Sequence, residues 1–135
     1  MTTTFTVDIV VTINGRDLVL ITRTKPPCMD KLCLPGGRVD PTDIDHAHAA
    51  AREACEEINL RVAPGDLRYL TTLDAVWRDE RPGRWISTVF HIDLPNPDGL
   101  YAGDDAKSLH VFSLASLRPE EIGFDHWEAI KLVRS

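Results

Sequence analysis

Apolar and polar residues alternate near the start of the chain, where Phe5, Val7, Ile9 and Val11 interleave with Thr4, Thr6 and Asp8. That period of two is the mark of a strand with one face on a core. The pattern runs through Ile13 into Asn14-Gly15 and resumes at Leu18, Val19, Leu20 and Ile21; Asn-Gly between two apolar runs predicts a hairpin. Lys25-Pro26-Pro27-Cys28-Met29-Asp30 cannot continue a ladder through its prolines and predicts a loop. Leu32-Cys33-Leu34 then predicts a brief strand ending at Pro35-Gly36-Gly37.

From Asp45 to Ile58 the chain is rich in Ala and Glu and free of Gly and Pro, which predicts its clearest helix. Asn59 follows and suits the left-handed residue that ends a helix. Leu67 to Trp77 and Trp85 to Leu94 predict two longer strands around Glu80-Arg81-Pro82-Gly83, and Leu109-Val111-Phe112 a short one. Asp125-His126-Trp127-Glu128 has the form of a capping box and predicts a last helix through Val133. Strands, one helix, more strands and a final helix describe an α+β domain, an α-β-α sandwich in which a mixed sheet carries helices on its faces.

A length of 135 residues suits one domain, residues 1–135, with one core. The balance of 43% hydrophobic and 27% charged residues is that of an ordinary globular protein and excludes the disordered and collagen-like classes. No apolar run is long enough for a membrane helix, and the first residues lack the basic and apolar segments of a secretory signal; a cytoplasmic protein is the expectation. A formal net charge of −6 has the wrong sign for gripping nucleic acid. It leaves room for a small phosphorylated ligand if a divalent cation supplies positive charge. Cys28, Cys33 and Cys55 show no zinc or redox spacing and read as idle or buried thiols.

On a helix advancing roughly 100° per residue, Glu53, Glu56 and Glu57 share about a third of the circumference. Ala47, Ala50, Ala51, Ala54, Cys55 and Ile58 fill the broad remaining side. Small residues let that side lie close to a sheet, so the acidic side faces across the loop that carries Gly36 and Gly37, whose glycines permit close approach to a ligand. Three clustered carboxylates repel one another unless something neutralises them. Mg²⁺, an oxygen-seeking ion that bridges to phosphates, is the natural candidate, with Mn²⁺ an alternative. The competing reading is a solvated acidic face.

These residues resemble the Nudix box, which reads Gly, five residues, Glu, seven residues, then Arg-Glu-apolar-x-Glu-Glu-x-Gly-apolar. Here Gly37 is followed after five residues by Asp43, and after eight more by Arg52-Glu53-Ala54-Cys55-Glu56-Glu57-Ile58-Asn59-Leu60. The second half fits closely; the first departs, with Asp43 or Asp45 in place of Glu and one extra residue before Arg52. Leu20-Ile21-Thr22-Arg23, Leu34-Pro35-Gly36-Gly37, Arg78-Asp79 with Gly83-Arg84, Gly103-Asp104-Asp105-Ala106 and Phe124-Asp125-His126 look like features of the branch that contains ADP-ribose pyrophosphatases.

The resemblance implies a Nudix fold and Mg-dependent hydrolysis of a nucleoside diphosphate linked to another group, foremost ADP-ribose to AMP and ribose 5-phosphate. The alternatives are a nucleoside triphosphate pyrophosphatase and a sensor that binds ADP-ribose without cutting it. It implies that Glu56 and Glu57 hold the metal, with Asp43 as a further acid, that Glu53 serves as ligand or base, and that Arg52 fixes the carboxylates. Asp104 or Asp105 would complete the site or stand as solvated loop acids. Gly36 and Gly37 would border the substrate, and Arg23, Arg38, Arg78 and Arg84 are candidate phosphate or ribose contacts. The partner implied is a small nucleotide, and a homodimer rests on the resemblance alone. His46 and His48 fall on different helix faces and His126 reads as structural, while Trp77 and Trp85 are either packed or free to stack on a ring.

Overall fold

The structure is a computed structural model that describes residues 2–103 and 106–134. The first strand, β1 (Thr3–Ile13), turns through Asn14 and Gly15 into β2 (Asp17–Arg23). Both turn residues have positive φ, 51° and 64°, as the tight hairpin requires. Then come β3 (Leu32–Cys33), β4 (Gly36–Arg38), the helix α1 (His46–Ile58), β5 (Arg68–Leu73), β6 (Arg84–Leu94), β7 (Ala106–Ser113) and the one-turn α2 (Trp127–Ile130).

The seven strands form one mixed sheet, ordered β3-β2-β1-β6-β5, with β4 also paired to β1 and β7 to β2. β6 runs parallel to β1 along its whole length, from Thr3–Arg84 to Ile13–Leu94. That leaves one edge of β1, and two partners share it: β2 at Thr12 and Ile13, β4 at Thr6 to Asp8. β1 and β2 therefore diverge beyond the hairpin, and β3 takes over the edge of β2 at Ile21 and Thr22. The segment from Leu32 to Arg38 fills the resulting wedge, tied by the Ile9 amide donating to the Pro35 carbonyl at 2.9 Å. The candidate site lies at this split.

Alternation along β1 divides the core in two. Val7, Ile9, Val11 and Ile13 pack with Ala49, Ala50, Ala54 and Ile58 of α1 on one face. Val10 packs on the other with Leu18, Leu20, Leu34, Val89 and Ala129 and Ile130 of α2. α1 follows the sequence closely: Asp45 caps its start, accepting from the His48 amide, and Asn59 closes it at φ 57°.

Two elements end sooner than their patterns predict. β5 stops at Leu73, not Trp77, because the chain turns there, Arg78 donating its amide to the Ala75 carbonyl; Trp77 is left 72% exposed. α2 is one turn long, and Asp125 does not cap it, since that carboxylate is spent on Arg78. No helix among the described residues is long and apolar enough to cross a membrane.

Candidate active site

α1 presents its acids to β4 at close range. A methyl group on Gly37 would lie 2.4 Å from the Glu53 carboxylate, and one on Gly36 would lie 2.1 Å from the Val7 carbonyl oxygen and 2.5 Å from an Asp8 oxygen. Both positions therefore need the missing side chain, not unusual φ. Glu57 is buried and takes a hydrogen bond from the Gly36 backbone. Burial, with the charges of Glu53 and Asp8, pushes its carboxyl up to about 8 against the pull of Gly36 and Arg23.

The three acids that share a helix face in sequence do not share one environment. Glu53 and Glu57 line a cleft of about 520 Å³ together with Gly36, Gly37, Arg23, Arg38, Lys25 and Arg81. Glu56 sits outside it, its side chain 45% exposed. Among the described residues no three ligating groups converge on one point.

Arg52 ties the acids together. Its guanidinium donates to both oxygens of Asp43 at 3.0 and 2.8 Å, to Glu53 at 2.8 Å, to Glu56 at 3.2 Å and to the Arg38 carbonyl at 3.0 Å. Asp43, anticipated as a metal ligand, thus spends both oxygens on Arg52 and lines neither the cleft nor its floor. Asp45, the other candidate for that place, is the helix cap.

Below the cleft lies a narrow floor of about 70 Å³, reached past Arg23, Gly36, Gly37, Arg38, Glu57 and Arg81, which line both spaces. Asp8 sits in this floor, buried, with Ser87 donating to it and His126 Nε2 at 3.5 Å. Burial opposes its ionisation, yet the imidazole and the hydroxyl hold its carboxyl below the usual range. His126 Nδ1 accepts from the Leu34 amide at 3.0 Å, so this histidine joins α2 to the wedge. Neither Asp8 nor this use of His126 was legible in sequence, where Asp8 is one polar position of an alternating strand.

The anticipated arginines separate. Arg23 and Arg38 line the cleft. Arg78 reaches the floor, but its fork is filled by Asp125 through three bonds of 3.0 to 3.2 Å. Arg84 lines neither space and donates to the Asp74 carbonyl. Sequence reading missed Arg81, which lines both. Asp79 accepts from it at 2.9 and 2.6 Å, and although burial opposes ionisation, that pairing holds the Asp79 carboxyl below the usual range. Trp85 is 5% exposed, packed beneath guanidinium groups, and Cys33 is a buried thiol pushed up to about 12 by burial and by Cys28. Asp104 and Asp105 lie outside the described residues; Gly103 before them donates its amide to the Glu57 carbonyl at 2.8 Å.

The model of the NUDIX domain matches residues 2–133 of the chain. The chain belongs to the Nudix family. A probable nudix hydrolase of Schizosaccharomyces pombe is 46% identical over 52 residues, which are 38% of this chain and 18% of that protein. A bifunctional NMN adenylyltransferase/ADP ribose pyrophosphatase from Francisella tularensis superposes with a TM-score of 0.83 at 28% identity, over 98% of this chain and 40% of that one. The NUDIX domain of Shewanella oneidensis NrtR, complexed with ADP ribose, gives 0.86 at 22% identity, over 99% of this chain and 88% of that one. This Nudix domain thus spans less than half of the first two proteins, and the likeness to the third is one of fold.

Proposed function

We propose that this Nudix domain hydrolyses the diphosphate bridge of a nucleoside diphosphate linked to another group, with ADP-ribose, cut to AMP and ribose 5-phosphate, as the foremost substrate. The observation that carries the reading is the pair of carboxylates, Glu53 and Glu57, pressed on the Gly36-Gly37 turn in a cleft that Arg23, Arg38 and Arg81 also line. Such a site faces a phosphate group with cations while keeping acids ready for a metal. The ADP-ribose carried by one structural neighbour and the ADP ribose pyrophosphatase half of another support the choice of substrate.

The donor set fits Mg²⁺ or Mn²⁺. Glu57 is a carboxyl raised to about 8 by burial first and then by the charges of Glu53 and Asp8, an imbalance that a divalent cation offsets. Glu53 and Glu57, the two acids that line the cleft, would hold the ion, which when bound would neutralise phosphoryl charge and acidify the attacking water; Glu56, anticipated beside them, stands outside it on Arg52. Arg52 keeps the acids in place through Asp43, and Arg23 and Arg38 orient the diphosphate by charge-assisted hydrogen bonds. Asp104 and Asp105, next to Gly103 at the end of α1, are the proposed complement to the helix acids as proton acceptor.

The test is a substrate panel with Mg²⁺, read by product identity. ADP-ribose is expected to give AMP and ribose 5-phosphate, and Glu57→Gln to bring turnover to background. Release of diphosphate from nucleoside triphosphates in place of ADP-ribose cleavage would move the assignment to that class. Tight ADP-ribose binding without product would make the domain a sensor, and near-full turnover by Glu57→Gln would overturn the site.

A further inference from the structure

Among the described residues five guanidinium-over-ring contacts occur, and four of them belong to one cluster. Arg81 lies 3.6 Å from the Trp85 ring centroid and 6.0 Å from that of Phe124; Arg38 lies 5.0 Å from Trp85, and Arg23 lies 5.3 Å from Phe124. Significant contacts of this kind occur about once per 70–80 residues, so four within one cleft is a concentration. All three arginines line the cleft, and both rings line its floor. The rings hold the guanidinium groups by their faces; Arg23 spends its Nε on the Pro27 carbonyl at 2.8 Å, and the N–H donors not engaged within the chain are left for a planar or tetrahedral anion.

Two features show that the cluster is built and not incidental. Phe124 carries φ 52°, a left-handed conformation that a residue with a side chain adopts only at a cost. Its ring is thereby set between Arg23 and Arg81 and against His126, 5.1 Å away. The indole of Trp85 is fixed in turn, donating to the Pro82 carbonyl at 3.0 Å. Arg81 has five N–H donors, and Asp79 takes two of them, on Nε and Nη2. Asp79 therefore fixes the plane of the group without exhausting it.

We infer that Arg81 is a substrate-binding residue of this cleft, the pre-set third arm, with Arg23 and Arg38, of a guanidinium receptor that grips the diphosphate of the substrate. The inference rests on the proposed reading of the cleft as a diphosphate site and deepens it. A grip made equally in ground and transition states acts on binding and leaves the chemical step alone. A lysine at position 81 keeps the charge and loses the fork, so it is not a conservative change.

The experiment pairs calorimetry of inorganic pyrophosphate with steady-state kinetics on ADP-ribose, for wild type, Arg81→Lys, Arg81→Gln and the exposed-site control Arg118→Lys. Arg81→Lys is expected to weaken pyrophosphate binding and raise KM by about tenfold or more, the effect of one lost charge-assisted bond. The kcat should stay within about twofold, with Arg81→Gln worse and Arg118→Lys unchanged. Should Arg81→Lys fail to fold, Arg81→Gln decides by the same two readouts. Unchanged KM and pyrophosphate affinity in a folded variant, or a fall in kcat alone, overturns the inference while the hydrolase reading survives. Pyrophosphate binding that depends on Arg81 in a protein that cuts no nucleotide sustains the receptor and sinks the hydrolase reading.

Discussion

Arg52 and Arg78 each join a carboxylate bidentately, as Arg81 also does, and the two do different work. Arg52 sits on α1 with its side chain 29% exposed and spreads its bonds over Asp43, Glu53 and Glu56. Arg78 and Asp125 are 3% and 4% exposed and bond only each other among the described side chains. The first is a half-solvated hub that orients acids near the chemistry. The second is a buried tie that fastens the turn after β5 to the start of α2, and thus helps set Phe124 and His126 under the cleft. The same pairing, moved from rim to interior, changes from a positioning device to a structural one, because removing one member of a buried pair strands a charge that water cannot reach.

The sharpest way to break this contrast is to remove each arginine in turn. Arg78→Met should cost about 3–5 kcal/mol in chemical denaturation, the loss typical of a stranded buried charge. A cost below about 1 kcal/mol would place the tie with ordinary surface pairs. Arg52→Met should change stability by less than about 1 kcal/mol yet lower turnover or metal affinity by about 10–100-fold, as lost partners of metal-site ligands do. Unchanged kinetics in a folded Arg52→Met protein would show that the acids hold their places without it.

The smaller effect concerns Glu57, the acid of α1 that Arg52 does not reach. Its folded-state pKa is raised from 4.5 to about 8. Its neutral form therefore favours folding below the unfolded value, and that contribution is lost as pH rises toward 8. In EDTA the wild-type stability should fall between about pH 5 and pH 8.5, and Glu57→Gln should flatten the slope and melt at least about 3 °C higher at pH 8. Identical slopes in the two proteins would show that Glu57 is ionised at no cost. Asp8, shifted the other way, contributes stability above the unfolded carboxylate value that disappears as pH falls through its lowered one.

The parts of this protein that periodicity and capping chemistry write locally were legible in sequence. The Asn14-Gly15 hairpin, α1 with its Asp45 and Asn59 ends, and the strands β1, β2 and β6 followed from residues within a few positions of each other, whereas β4 fell where the sequence predicted only the end of a strand. What stayed hidden depends on partners far along the chain. Arg78 and Asp125 are 47 residues apart, and their bond takes Asp125 from its anticipated cap. Asp8 looked like a solvent-facing position until His126 and Ser87 closed over it. The helix angle put three glutamates on one face, but only the approach of β4 distinguishes Glu53 and Glu57 from Glu56. Arg81 gave no signal, because its role is set by rings at positions 85 and 124.

The parallel ladder between β1 and β6 pairs residues such as Thr12 and Asp93, which are 81 positions apart. Contacts of such long sequence separation slow folding, since a large loop must close before they reward it. During synthesis the apolar face of β1 waits for most of the domain to leave the ribosome before its neighbour exists. Until then Val7, Ile9 and Val11 stand as an open edge able to pair with another nascent chain, so the strand that anchors the finished site is also the segment whose early exposure invites aggregation.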